Sequence, residues 1–154
     1  MNYERAMQAA LERARFGAVA SGDVPVGAVV LNSRGDIIAM GNNQRELLRD
    51  PIAHAEMVAI RSAARAIGSW RLEECTLVVT LEPCAMCAGA IAQARIPKLV
   101  FGAWDEKAGA VGSKWDLLRD PRALHKPEVI TGVMEKECAE LLKSFFNEAI
   151  RNSD

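Results

Sequence analysis

Thr76-Leu77-Val78-Val79-Thr80-Leu81-Glu82-Pro83-Cys84-Ala85-Met86-Cys87 decides the architecture. Thr76 to Leu81 is a short β-rich run, Pro83 stops it, and Ala85 to Ala94 is rich in good helix formers. A strand therefore hands over directly to a helix whose first turn holds Cys84 and Cys87. Unpaired N–H groups and the helix dipole favour thiolates there. His54-Ala55-Glu56 opens a second helix in the same way, because Met57, Val58, Ile60, Ala63, Ala64 and Ile67 recur at spacings of three and four over Ala55 to Ile67. Two helix starts thus each bring metal-ligating side chains.

One imidazole, from His54, and two thiolates, from Cys84 and Cys87, give three ligands to a zinc ion that favours four. The fourth position is left for a bound water or hydroxide, as in a catalytic site. Binding to zinc lowers the pKa of water from about 16 toward about 7. Glu56, two residues from His54, is close to the ion yet free not to ligate it, and is read as the group that moves protons. Alone, each motif is weak, since C-x-x-C also serves redox or structural zinc sites and H-x-E occurs by chance. Their combination in this order, with Pro83 before the first cysteine, is far more specific. A closed structural site would need a fourth ligand from Cys75, Cys138 or His125. Cys75 ends the charged turn Arg71-Leu72-Glu73-Glu74 and Cys138 falls in a helical pattern, so both read as ordinary helix or core-edge thiols.

A chain of 154 residues, half hydrophobic and a quarter charged, fits one ordinary globular domain with a core that needs no disulfides. Met1 to Arg5 leads into an amphipathic pattern without a signal-peptide core, and the longest apolar stretch, around Val24 to Leu31, is too short to span a bilayer. Cytoplasmic residence is expected, with no membrane partner, and a reducing compartment suits the thiolate ligands. The formal net charge of −1 means that any nucleic-acid surface must come from local clustering. Lys107, Lys114, Arg119, Arg122 and Lys126 are one such cluster, but Asp116 and Asp120 interrupt it, and a solvated, salt-bridged face explains it equally well.

Outward from the motifs, Tyr3 to Val19 carries Met7, Ala10, Leu11, Ala14 and Val19 at helical spacing and ends near Gly22. Val24 to Leu31 and Ile37 to Met40 read as a hairpin around Asn32-Ser33-Arg34-Gly35-Asp36. A polar loop from Gly41 to Ala53, ending in Asp50-Pro51, positions the first ligand helix. Lys98 to Gly102 is a fourth strand, Ala103 to Gly112 is irregular, Ser113 to Leu118 a short helix, Glu128 to Thr131 a final strand and Glu135 to Ile150 a final helix. The order predicts an α/β fold, a three-layer α-β-α domain with a five-stranded mixed sheet covered by helices on both faces.

The chain resembles the bacterial tRNA-specific adenosine deaminases of the cytidine deaminase-like superfamily. H-x-E followed by P-C-x-x-C is the signature of zinc-dependent nucleobase deaminases. The likeness also runs through Pro25-Val26-Gly27-Ala28-Val29-Val30, Asn43, Asp50-Pro51, Thr80 to Ile91 and Phe101-Gly102-Ala103-Trp104-Asp105-Glu106-Lys107-Ala108-Gly109-Ala110-Val111-Gly112-Ser113, the last block being the most discriminating. It implies a cytidine deaminase-like fold, residues 1–154 as a single zinc-dependent deaminase domain, and a homodimer with one zinc per subunit. The implied reaction is hydrolytic conversion of adenosine to inosine at the wobble position of an arginine tRNA anticodon, with the anticodon stem-loop as partner. Substrate contacts are implied at Asn43, Asp105, Val26 and Ala55, with Asn43 on the flipped nucleotide and Asp105 beside a neighbouring sugar. Residue physics alone equally allows Asn43 to hold a turn and Asp105 to cap a loop. Two departures stand out: Leu124 precedes His125 where the family usually has Asn, and Phe145-Phe146 is followed by Asn147-Glu148-Ala149-Ile150-Arg151 rather than a basic tail. A deaminase of a free base or nucleoside such as guanine or cytosine is the second reading. A silent zinc-binding subunit is the third, and the presence of Glu56 speaks against it.

Overall fold

The computed structural model of the chain describes residues 2–152. Strands β1 (Gly27–Leu31), β2 (Ile37–Asn42), β3 (Thr76–Leu81), β4 (Lys98–Ala103) and β5 (Glu128–Thr131) form one sheet in the order β2-β1-β3-β4-β5. β1 is antiparallel to both β2 and β3, whereas β3, β4 and β5 are parallel. β2, β3 and β4 therefore all point the same way. Their carboxyl ends, and the start of β1, meet at one end of the sheet.

Among the described residues five helices surround it: α1 (Glu4–Ser21), α2 (Arg45–Leu48), α3 (Ala55–Ile67), α4 (Ala85–Gln93) and α5 (Glu135–Asn152). The strands alternate their side chains between two cores. Val29, Leu31, Val78 and Val100 pack beneath Met7, Ala10 and Leu11 of α1 and Cys138 of α5. Ala28, Val30, Leu77, Val79, Leu99 and Phe101 face Ala55, Ala59 and Ala63 of α3 and Ala88 and Ile91 of α4. Every residue of β1 is buried, which is why it reads as an unbroken apolar run and not an alternating one. Each large aliphatic side chain so buried contributes about 1.5–3 kcal/mol. The expected three-layer α-β-α arrangement is what forms.

Helix boundaries follow local chemistry. α1 and α3 end where Gly22 and Gly68 take left-handed conformations and return their N–H groups to the carbonyls of Ala18 and Ala64. Three expectations need correction. Val24 to Val26 lies outside the ladder, because Pro25 has no N–H to give and Val26 instead bonds Val24 and Asn43. Ser113 to Leu118 is no helix. Its amides are claimed elsewhere: that of Ser113 by the Glu82 carboxylate, those of Lys114 and Trp115 by the Gly109 carbonyl, and that of Leu117 by the carbonyl of Ala110. The loop after β2 contains the single turn α2, whose first amides, Glu46 and Leu47, are capped by the buried Asp23 carboxylate at 2.8 and 3.2 Å. That cap comes from a distant part of the chain, so no local signal marks α2.

Two glycines set the layer spacing. A side chain on Gly27 would lie 2.8 Å from the Ala14 amide and still closer to the Ala10 carbonyl of α1, and one on Gly41 would lie 2.7 Å from the Ala59 amide of α3. In both cases the obstacle is backbone, which cannot rotate away. Gly27→Ala and Gly41→Ala should each lose about 3 kcal/mol or more of unfolding free energy in urea titrations, the upper range for overpacking. A wild-type midpoint in either variant would contradict the close approach.

Candidate active site

His54 is the N-cap of α3 and Cys84 the N-cap of α4, both with extended backbone, and neither side chain caps its own helix. They are free to face outward from the two helix starts. His54 Nδ1 lies 3.6 Å from the sulfur of Cys84 and 3.6 Å from that of Cys87, and the three ligand atoms all fall within 4.8 Å of one another. An ion ~2.3 Å from sulfur and ~2.1 Å from nitrogen at a tetrahedral angle would hold S and N about 3.6 Å apart, so the group fits zinc. Hydrogen bonds from Cys87 and from His54 hold the Cys84 thiol down at about 3 despite burial, while the bond to Cys84, with burial, pushes Cys87 up. His54 is raised chiefly by its bond to Cys84. The three side chains are thus hydrogen-bonded to one another.

A cavity of about 610 Å³ opens over this group, at the carboxyl ends of the strands. His54, Cys84 and Glu56 form one wall, and Val26, Asn43, Trp104 and Asp105 contribute to the others. Glu56 is only 4% exposed, and burial pushes its carboxyl above the usual range. Asn43 Oδ1 accepts the Ala55 N–H at 2.9 Å, which fixes the amide and tethers the start of α3. Asp105 Oδ1 accepts the amides of Lys107 and Ala108 at 3.1 and 3.3 Å. The turn-holding and loop-capping roles are thus real, and both residues still line the cavity. Ala55 is fully buried and does not line it.

Several residues at the site have no individual signal in sequence. Glu82, inside the cysteine motif, is buried and accepts hydrogen bonds from the Asp105, Val111 and Ser113 amides and the Ser113 hydroxyl. Arg45 of α2 and Leu142 and Phe146 of α5 also line the cavity. Helical spacing could have put Leu142 and Phe146 on one face of α5, but not against a cavity built by the far end of β4.

The remaining candidates lie apart from the metal group. Cys75 and Cys138 are buried in the two separate cores, and burial drives the Cys138 thiol up to about 12. His125 Nε2 bonds the Ile96 carbonyl at 2.6 Å, just before β4 begins and so at the opposite end of the sheet, and its neighbour Leu124 is 97% exposed. Much of the charge between Lys107 and Lys126 is paired within itself: Arg119 meets Asp116 at 3.0 Å and Arg122 meets Asp120 at 2.8 Å. Lys107 alone of that cluster lines the cavity.

Known proteins share this design. Residues 1–103 match the cytidine and deoxycytidylate deaminase zinc-binding region. The tRNA-specific adenosine deaminase of Bacillus subtilis (strain 168) is 51% identical over 127 residues, 82% of this chain and 78% of that protein. The tRNA-specific adenosine deaminase of Haemophilus influenzae is 48% identical over 143 residues, 93% of this chain and 82% of that protein. A tRNA:A34 deaminase structure, from work on A-to-I editing at the wobble position of transfer RNA, superposes with a TM-score of 0.84 at 45% identity, covering 88% of this chain and 97% of that one. The guanine deaminase of Nitrosomonas europaea superposes with a TM-score of 0.77 at 28% identity, covering 92% and 83%.

Metal analysis of purified variants should find zinc lost from His54→Ala, Cys84→Ala and Cys87→Ala and retained by Cys75→Ala and Cys138→Ala. Full occupancy after loss of either motif cysteine would defeat the assignment.

Proposed function

The chain belongs to the cytidine and deoxycytidylate deaminase zinc-binding family, and on that premise we propose that it hydrolyses adenosine to inosine in tRNA, at the wobble position of an arginine tRNA anticodon. The observation that carries this reading is the sharing of one cavity by His54 and Cys84 of the metal-binding group, Glu56, Asn43 and Asp105. The names borne by relatives 51% and 48% identical support an RNA substrate over a free base.

His54, Cys84 and Cys87 would hold a zinc ion, which would lower the pKa of a bound water and so supply a nucleophile at neutral pH. Glu56 does the proton work: its carboxylate takes a proton from the attacking water and gives it to the ring nitrogen, then takes the second proton from the hydroxyl now on the ring carbon and gives it to the amine, which leaves as ammonia. Burial raises its affinity for the proton, which favours the acid form it needs as a donor. Asn43, oriented through Ala55, offers its remaining amide hydrogens to the base, and Val26 gives an apolar surface to the ring. Asp105 spends one oxygen on its own loop and keeps the other for a sugar hydroxyl. An anticodon loop presents its bases largely unpaired, so extruding one costs only a few kcal/mol, and contacts to its neighbours offset that.

Among the described residues no helix is long and apolar enough to cross a membrane, and the reading assigns residues 1–154 to one deaminase domain working in the cytoplasm. It also assigns a homodimer. A largely apolar groove lined by Ile60, Ala64, Trp70, Ala90 and Ala94, with Arg61 and Gln93, runs between α3 and α4, on the side of α4 whose small residues allow close helix approach.

Glu56→Ala should keep zinc and substrate binding while turnover falls by about 100- to 10,000-fold; a near-normal rate would move the proton role to another group. The protein should deaminate an arginine tRNA anticodon stem-loop with steep salt dependence, leave free adenosine almost untouched, and lose RNA turnover without losing zinc on Asn43→Ala or Asp105→Ala. Efficient deamination of free guanine, cytosine or adenosine with the stem-loop untouched would replace the RNA reading by the small-molecule one. Sedimentation should give two chains for the wild type and one for Ala90→Arg; a wild-type monomer at micromolar concentration would remove the dimer.

A further inference from the structure

Glu82 is 2% exposed and forms no ion pair with the described residues. An isolated buried carboxylate is strongly unfavourable unless hydrogen bonds replace its hydration. Here they do, and all come from one loop. Oε1 accepts the Asp105 amide at 3.0 Å and the Ser113 hydroxyl; Oε2 accepts the amides of Val111 at 3.0 Å and Ser113 at 3.1 Å. A carboxylate has about four lone-pair sites, and these donors fill them. Although Glu82 borders the cavity, it has no acceptor capacity left for proton transfer.

The loop is fitted to this side chain. Gly109 packs so tightly against the carboxylate that a Cβ there would overlap it and lie 2.5 Å from the Asp105 carbonyl. The Ala110 amide bonds the Pro83 carbonyl at 2.8 Å, and Cys84 and Gly109 form an isolated β-bridge. The segment that delivers Cys84 to the metal group and the segment that delivers Trp104, Asp105 and Lys107 to the cavity are therefore joined by backbone pairing and by the Glu82 carboxylate, which binds the amides of Asp105, Val111 and Ser113.

We infer that Glu82 is a positioning residue for substrate: acting through the backbone of residues 105–113, it holds the cavity wall that meets the nucleotide next to the reacting base. The nucleotide part of this inference rests on the RNA reading above. Glutamine cannot replace it. The volume is kept, but an NH2 group is turned toward N–H donors where an acceptor is required.

The test compares zinc-loaded wild type, Glu82→Gln, Gly109→Ala and the double variant by amide hydrogen exchange, zinc content and steady-state kinetics on an anticodon stem-loop. Gly109→Ala disturbs the same contact from the loop side, so it serves if Glu82→Gln does not fold. Exchange across 105–113 should quicken by about tenfold or more, KM should rise by about tenfold or more with kcat within about threefold, and zinc should stay at the wild-type level. The double variant should be no worse than the poorer single one. Unchanged exchange and KM would overturn the role, as would zinc loss or a fall in kcat alone, which would move Glu82 to the metal or to the proton chemistry. A wild type that ignores the stem-loop overturns the RNA reading only, and exchange over 105–113 still decides whether Glu82 holds the wall.

Discussion

Neither β1 nor β3 has a solvent face. Val29 and Val78 look into one core and Val30 and Leu77 into the other, so the sheet is stable only if helices cover both sides. That requirement fixes where α3 and α4 lie, and strand direction fixes which way they point. Because β2 and β3 run in parallel, the helices that follow them both begin at the same end of the sheet. Their unpaired N–H groups and positive dipole ends converge there, beside Cys84, Cys87 and Glu56. The site is a by-product of covering the sheet.

The fold was legible because its signals are local. Pro83 ending an apolar run, Ala85 to Gln93 made of small helix formers, and glycines after α1 and α3 mark boundaries within a few residues. The metal group was legible for the same reason, since a ligand triad at two helix starts is written as two short motifs. What escaped depends on partners far apart in the chain. α2 exists because Asp23 caps it, and Ser113 to Leu118 is not helical because Glu82, Gly109 and Ala110 take its amides. Helix propensity registers neither competitor. Phe146 shows the same limit, its place on the cavity being set by how α5 docks beside β4.

On the proposed reading, the site separates chemistry from recognition. His54, Glu56, Cys84 and Cys87 lie on or directly beside regular helices backed by core, where positional tolerance is small. Arg45, Trp104, Asp105 and Lys107 lie on α2 and on the segment after β4, both held by buried carboxylates from elsewhere in the chain. Such an arrangement lets related folds change what they recognise while keeping how they react. The similarity to a guanine deaminase at a TM-score of 0.77 but 28% identity is consistent with that division.

The distribution of the thiols has a practical consequence. Cys75, Cys87 and Cys138 are buried, and only Cys84 is partly open to solvent, where hydrogen bonds from Cys87 and His54 favour its thiolate. Cys75 and Cys138 lie on opposite sides of the sheet and cannot meet without unfolding. In protein stripped of metal, an alkylating reagent or peroxide would therefore meet Cys84 first, and a bound cation would shield it. The rate at which one sulfur reacts becomes a gauge of how much of a preparation is loaded.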